Sequence, residues 1–406
     1  MSINKDVQKI SLVFTLLLAG LAAIGPFSID TFLPAMGAIS QDLNSTQEQT
    51  QLIISAYMLC FGITNLLHGA VSDAIGRRKV ILISLALFAL ASIGCVFVNT
   101  LEGLLMMRAI QGVCGGAGMV VGRAIIRDCF DGVRAQKIMS QVTMLFSLAP
   151  ALAPVLGGQL FTLLGWRSIF VFLCILGLLL LAASWFKLPE THPVDKRSTF
   201  SFSALFKNYW QVLKRAEFFL LSLALAFNSA GMFVFIPSSH MLLVEHLGIP
   251  ETQFFWLFGP LVMGIMLGAF LSGRLAGRIT VRNTVSFGYV TMILATLTTT
   301  LYHAFFTPTL LMVVVPLGFY CMGMSIVAPS MMIALMDLFP KLRGTASSLQ
   351  GCMQSMAGGI VAGLVVPLVW GSVFGLTLTM FVFCVCGLSL NALYFFFIKN
   401  KKSIAV

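Results

Sequence analysis

The sequence predicts an all-α membrane protein: twelve spanning helices in two pseudo-symmetric six-helix bundles. Three observations carry this, namely the composition, a one-sided distribution of basic residues, and a repeat of half the chain length. Of 406 residues, 58% are hydrophobic and 10% charged, with a mean hydropathy of +0.97. A soluble domain is about 45–50% apolar and about 25% charged. This composition excludes a disordered chain, a nucleic-acid-binding domain and almost any cytosolic enzyme. The net charge of +11 is too thinly spread for a basic binding face, so no nucleic acid partner is expected. A spanning helix needs about 20 apolar residues, so twelve use roughly 250.

Apolar runs place the elements in order. Helix 1 is expected over 11–36 and helix 2 over 48–71. Helices 3 to 6 follow over 80–98, 103–125, 138–163 and 167–187. Helices 7 to 12 are expected over 216–242, 253–273, 284–304, 309–336, 345–369 and 374–398. The resulting division is an N-terminal bundle, 1–187, a polar cytoplasmic linker, 188–215, and a C-terminal bundle, 216–406. The segment Met1–Gly25 is basic then apolar, without a convincing small-residue cleavage site before Asp30. It reads as a retained first helix.

Basic residues set the orientation. With the N-terminus cytoplasmic, inside loops and helix ends carry 23 of the 25 Lys and Arg residues. Only Arg167 falls outside, and Arg108 lies within helix 4. Such asymmetry supports an even helix number with both termini cytoplasmic. The repeat appears in three landmark pairs. Pro34 and Pro237 are 203 residues apart; Gly69 and Gly273, and Trp166 and Trp370, are 204 apart. Two parallel repeats flanking a central site are a transporter plan. The nine cysteines sit mostly in apolar runs without metal-ligand spacing; they read as packing residues, and no metal site is expected.

The clearest motif is Gly69-Ala70-Val71-Ser72-Asp73-Ala74-Ile75-Gly76-Arg77-Arg78-Lys79, between helices 2 and 3. It resembles the cytoplasmic loop signature of the major facilitator superfamily, G-x-x-x-D-x-x-G-R-[RK]-[RK], which implies the major facilitator fold. Gly69 lets two helices approach closely and Gly76 supplies a tight turn. The resemblance implies that Asp73 accepts from the N-terminus of helix 11, near Gly344-Thr345-Ala346-Ser347, latching the halves when the cavity faces outward. Gly69, Asp73, Gly76, Arg77, Arg78 and Lys79 are therefore the candidate gating loop. The second copy, Gly273 to Arg278, has Gly277 where the acid would stand, so an asymmetric latch is expected. Asp128, after helix 4, is a candidate partner for Arg77, or part of a solvated loop.

Two charges stand inside the membrane: Asp30 in Ser28-Ile29-Asp30-Thr31-Phe32-Leu33-Pro34, and Arg108 in Arg108-Ala109-Ile110-Gln111-Gly112. Each costs roughly 2.5–3.5 kcal/mol in lipid, so each should face a partner or a wet cavity. Counted from the helix ends, both lie roughly 8–9 Å deep at about 1.5 Å per residue, which suits pairing. One reading is a fixed ion pair holding helices 1 and 4. The other is that Asp30 exchanges a proton for substrate while Arg108 tunes its affinity. Burial favours the neutral acid and a guanidinium favours the charged one; alternating access changes that balance.

Arg108-x-x-Gln111-Gly112 resembles the superfamily's helix 4 motif. Ala153-Pro154-Val155-Leu156-Gly157-Gly158 resembles its helix 5 antiporter motif G-P-x-x-G-G, with Ala153 replacing the first Gly. Pro150, Pro154, Gly157 and Gly158 would permit bending and close packing. Finer similarity, in Ser28–Ala35, Gly69–Lys79, Ala149–Gly158 and Phe339–Leu349, points to the bicyclomycin/chloramphenicol-resistance (Bcr/CflA) subfamily of drug:proton antiporters. Some related antiporters carry a second acid two turns earlier in helix 1; here that stretch is Ala22-Ala23. One carboxylate is then available, which speaks against divalent-cation transport and multi-proton coupling.

Tyr57, Phe61, Asn65 and His68 fall at helical spacing on helix 2, as a cavity stripe or as packing against the neighbouring bundle. Gln111, and Phe233 at the 203-residue offset from Asp30, complete the candidate substrate cavity. The 35 Phe and 22 Met suit varied apolar or amphiphilic small molecules, or are simply lipid-compatible. The expected function is proton-coupled efflux of small organic molecules by alternating access. The alternative is export of one metabolite, such as a nucleoside, amino acid or siderophore, in the same fold. No catalytic constellation, nucleotide loop or soluble signalling domain is present in the sequence to support an enzyme or a sensor. No cofactor is expected beyond the proton as coupling ion, and the expected partners are a small molecule and the bilayer, with the chain a monomer.

Overall fold

A computed structural model describes residues 12–130, 132–146, 148–197, 201–275, 278–340 and 342–404. These are helical apart from short turns, with no strand among them. Among the described residues, twelve helices are long and apolar enough to cross a membrane. In the first half they are α1 Val13–Asp42, α2 Gln47–Ile75, α3 Arg77–Phe97, α4 Leu101–Cys129, α5 Ile138–Leu164 and α6 Arg167–Lys187. In the second half they are α7 Ala216–Phe235, α8 Glu251–Leu275, α9 Val281–Phe305, α10 Leu310–Asp337, α11 Arg343–Val369 and α12 Val373–Phe396. Packing divides the chain into two compact units, Met1–Phe202 and Ser203–Val406.

Local chemistry sets the helix ends. Thr46 and Gln49 form a reciprocal capping box that starts α2: the Gln49 N–H donates to Thr46 Oγ1 (3.2 Å) and the Thr46 N–H to Gln49 Oε1 (3.0 Å). Thr100 and Thr280 start α4 and α9 by accepting from the amides of Gly103 and Asn283. These satisfy amides that a helix leaves unpaired in its first turn. Gly76 joins α2 to α3 with φ +103°, a conformation that costs a glycine little. The α5–α6 turn is tied down by Asp42, whose Oδ2 accepts from Trp166 Nε1 (3.1 Å) and Arg167 Nη1 (2.6 Å).

Three segments depart from the expected boundaries, the first being helix 1, expected to end at 36, which runs on to Asp42. Helix 7 was expected to reach 242, but α7 ends at Phe235 and a turn leads into a wide-wound segment, Met241–His246. Pro237 lacks an amide hydrogen and crowds the residue before it. Within the polar linker, Phe202–Leu213 forms an amphipathic helix. Val212 is buried, Tyr209 is hydrogen-bonded to Ser348 on α11, and burial pushes the Tyr209 hydroxyl up to about 12. Ala276 and Gly277 of the second loop copy lie outside the described residues.

Glycine sets the closest helix contacts in both units. In the first, a Cβ on Gly112 or Gly118 (α4) would overlap the carbonyl oxygen of Tyr57 (α2) or Leu21 (α1), and one on Gly157 (α5) that of Thr31 (α1). In the second, Gly264 and Gly268 (α8) face the carbonyls of Gly318 and Met322 (α10) in the same way. Small residues at such crossings let backbones approach where no hydrophobic drive separates protein from lipid.

Candidate functional site

The centre of the first unit is polar. Arg108 on α4 has no exposed surface. Its Nη1 donates to Ser28 Oγ (2.8 Å) and Gln111 Oε1 (2.7 Å), and Gln111 Nε2 donates onward to Ser92 Oγ (2.7 Å). Its guanidinium carbon lies 4.5 Å from the ring centroids of both Phe32 and Tyr57. Two aromatic faces thus meet the cation, an arrangement that gains most when desolvated. Nε and Nη2 have no hydrogen-bond partner among the described residues. The rings and two polar side chains, Ser28 and Gln111, offset part of the cost of a buried charge, and they draw α1 to α4 on one center.

Asp30 is the last residue of the continuous α-helical stretch Leu12–Asp30 and is 4% exposed. Here one expectation is corrected. Arg108 bonds to Ser28 rather than to Asp30, and no ion pair joins Asp30 and Arg108 among the described residues. The reason is helical geometry: two residues turn the chain by about 200°, so the face that offers Ser28 to Arg108 turns Asp30 away. The Asp30 carboxylate accepts no hydrogen bond among the described residues. Gly157 brings α5 onto the carbonyl of the next residue, Thr31, so the Pro–Gly stretch of α5 packs beside Asp30. Pro150 lies in the first turn of the helix Ala149–Leu164, where its missing amide hydrogen costs nothing. Pro154 sits inside that helix, and Pro154, Gly157 and Gly158 are buried.

The loop motif is held by carboxylates from two other places. Arg77 is buried and pairs with Asp73 one turn earlier; its Nε reaches Asp128 Oδ2 (3.1 Å) and its Nη1 reaches Ser72 Oγ (2.6 Å). Asp128 is therefore a partner and not a solvated loop residue. Glu190, just past α6, was not found by sequence reasoning. Its Oε1 accepts from the Arg77 amide (2.9 Å), capping the first turn of α3, while Oε2 lies 3.7 Å from Arg197 Nη2. Thr191 Oγ1 donates to Asp128 Oδ2 (3.0 Å). The signal available in the sequence was one of only two acids, Glu190 and Asp195, in an otherwise basic linker. Arg78 goes elsewhere, to the Trp185 carbonyl (2.6 Å), and Lys79 is exposed. Gly69 lies in α2, and a Cβ there would make only ordinary contact with Val120.

The candidate cavity residues divide. Tyr57 and Gln111 have no exposed surface, so neither lines an open cavity. The attraction of Arg108 for a ring face and an amide oxygen draws both into the core. Phe61 is half-buried and stacks on Tyr57 (centroids 5.9 Å, planes 25°). Asn65 is buried against Gly116, its Oδ1 unpaired among the described residues. Phe233 is half-buried in the second unit.

Twelve apolar helices in two units, the first built around a buried cation and a separate buried acid, define a multi-pass membrane protein of the transporter class. Known proteins give the family. Residues 16–363 match the Major Facilitator Superfamily, and the chain belongs to that family. It is 28% identical to the bicyclomycin resistance protein homolog of Haemophilus influenzae, over 98% of this chain and 99% of that one. It is 33% identical to the uncharacterized MFS-type transporter YdgK of Bacillus subtilis (89% and 90%). It is 29% identical to multidrug resistance protein D of Escherichia coli (89% and 89%). These relatives agree with the resemblance to the bicyclomycin/chloramphenicol-resistance subfamily. Among solved structures, a bacterial homolog of the human lysosomal transporter Spinster superposes with a TM-score of 0.71 at 17% identity, covering 98% of this chain and 97% of that one. That likeness concerns the fold.

Proposed function

We propose that this transporter exports small apolar or amphiphilic organic molecules in exchange for protons, as a drug antiporter of the bacterial inner membrane with both termini cytoplasmic. The relatives named for bicyclomycin and multidrug resistance support the substrate class. The distribution of Lys and Arg supports the orientation. The observation that carries the coupling is Asp30, a buried carboxylate of α1 with no hydrogen-bond or ion-pair partner among the described residues.

An unpartnered acid in a spanning segment is a functional site by default. Its proton affinity follows its surroundings, so access from one side favours release and access from the other favours uptake. Arg108, locked between two rings, contributes a fixed positive field to that balance without pairing directly. The proton is the coupling ion. The loop Gly69–Lys79 is the gating element of the cycle, and the chain acts as a monomer. Phe61 and Phe233 are the candidate residues left to meet substrate directly.

Reconstituted vesicles test the coupling. Asp30→Asn is expected to keep substrate binding and abolish substrate-driven proton flux. Full flux in that variant would overturn the assignment of Asp30.

A further inference from the structure

The three basic residues that end the loop motif face in different directions. Arg77 turns inward to its carboxylates. Arg78 and Lys79 stand one turn before Leu82 and Ile83 on α3, where a groove of about 550 Å³ opens between α3 and α6. Leu82, Ile83, Ala86, Leu178, Leu181 and Trp185 line it. Several of these are well exposed, Trp185 at 59%, and an exposed apolar face of a spanning bundle meets lipid.

One end of the groove is cationic. Arg78 is fixed there by the Trp185 carbonyl (2.6 Å), with its guanidinium carbon 5.6 Å from the Trp185 ring centroid. Arg78 Nε is buried and without a hydrogen-bond partner among the described residues. Lys187 closes α6 directly after Phe186, which also lines the groove. Neither Lys79 nor Lys187 takes part in a hydrogen bond or ion pair among the described residues. Of the carboxylates at this end of the unit, Asp73, Asp128 and Glu190 are engaged by Arg77 and Arg197, and the exposed Asp195 of the linker makes no ion pair among the described residues.

We propose that this groove binds an anionic phospholipid. An acyl chain lies between α3 and α6, and the phosphate is held by Arg78, Lys79 and Lys187. The indole of Trp185 sits at the level of the ester groups, where aromatic rings with one polar edge are favoured. Basic clusters at the end of an interhelical groove select anionic headgroups, while a zwitterionic lipid would bring an ammonium among three cations. The apolar length of the groove requires a chain, which free phosphate lacks. Because Arg78 and Lys79 adjoin Arg77, an occupied site would connect membrane composition to the gating loop.

The test reads binding and not transport, so it is independent of the proposed export. The full chain is placed in nanodiscs, and the Trp185 emission is taken as the difference between wild type and Trp185→Phe. Brominated phosphatidylglycerol is expected to quench this emission at a lower mole fraction than brominated phosphatidylcholine. Lys79→Gln with Lys187→Gln leaves the Arg78–Trp185 contact in place. It should reduce the preference by about fivefold for each cation removed, with quenching by phosphatidylcholine unchanged. Equal quenching by the two lipids in wild type would overturn the proposal, and so would a preference that survives in the double variant. Relief of quenching by inorganic phosphate would reduce the site to an anion patch and refute the chain-binding groove. If the double variant does not fold, the wild-type comparison decides.

Discussion

The two units share a packing scheme and differ in what they bury. Each lets glycines seat against backbone carbonyls, α4 on α2 in the first and α8 on α10 in the second. At its polar center the first unit holds Arg108 and, separately, Asp30. The second holds a neutral cluster: Asn228 Nδ2 donates to the Tyr289 hydroxyl (3.0 Å), and the Tyr320 hydroxyl donates to the Asn228 carbonyl (2.6 Å). Helix crossings tolerate little change, because one added carbon meets a backbone atom that has nowhere to go. Side chains filling the space between crossings are freer to vary. The two units therefore share the device of glycine crossings, placed on α4 in the first and on α8 in the second, and part company in their central charges.

Substitutions can break or sharpen this contrast. The largest effect is expected at a crossing. Gly157→Leu forces a side chain into the Thr31 carbonyl and should cost at least about 3 kcal/mol, seen as lost folded yield or a lowered melting temperature in detergent. A tolerated leucine would mean that α1 and α5 separate freely. Next is the charged center. Arg108→Ala removes a side chain stacked on two rings and leaves Ser28 and Gln111 without their donor. A loss of about 3 kcal/mol is expected, together with altered proton coupling in vesicles. Arg108→Lys should rescue little, since an ammonium cannot offer a flat face to both rings.

The neutral cluster should respond less. Tyr320→Phe deletes one hydrogen bond, worth about 1 kcal/mol, and proton coupling should persist. A cost equal to that of Arg108→Ala, or lost coupling, would erase the distinction between the units. The smallest effect is expected at Glu190→Gln, which keeps an acceptor for the Arg77 amide but removes a partly exposed charge. About 0.5 kcal/mol is the expected scale, with transport rate a more sensitive readout than thermal stability.

Much of the fold was legible before any coordinates. A span must satisfy its backbone internally over a fixed thickness, so hydropathy alone located all twelve spans. The turn at Gly76 was equally legible, because a tight link between two spans needs a residue at positive φ. The amphipathic helix Phe202–Leu213 is not legible in the polar linker, because its pattern is too short to stand out beside the spans.

Sequence by itself determined the class of protein, the number of spans, the repeat and the two intramembrane charges. Each follows from local solvation: a residue's cost in lipid does not depend on its distant neighbours. Only the tertiary structure decided who partners whom. Arg108 took Ser28, 80 positions away, and two ring faces, leaving Asp30 without a hydrogen-bond or ion-pair partner among the described residues. Glu190 capped a helix that begins 113 positions earlier. Such contacts depend on the rotation of one helix against another, and that rotation is set by the packing of many side chains at once.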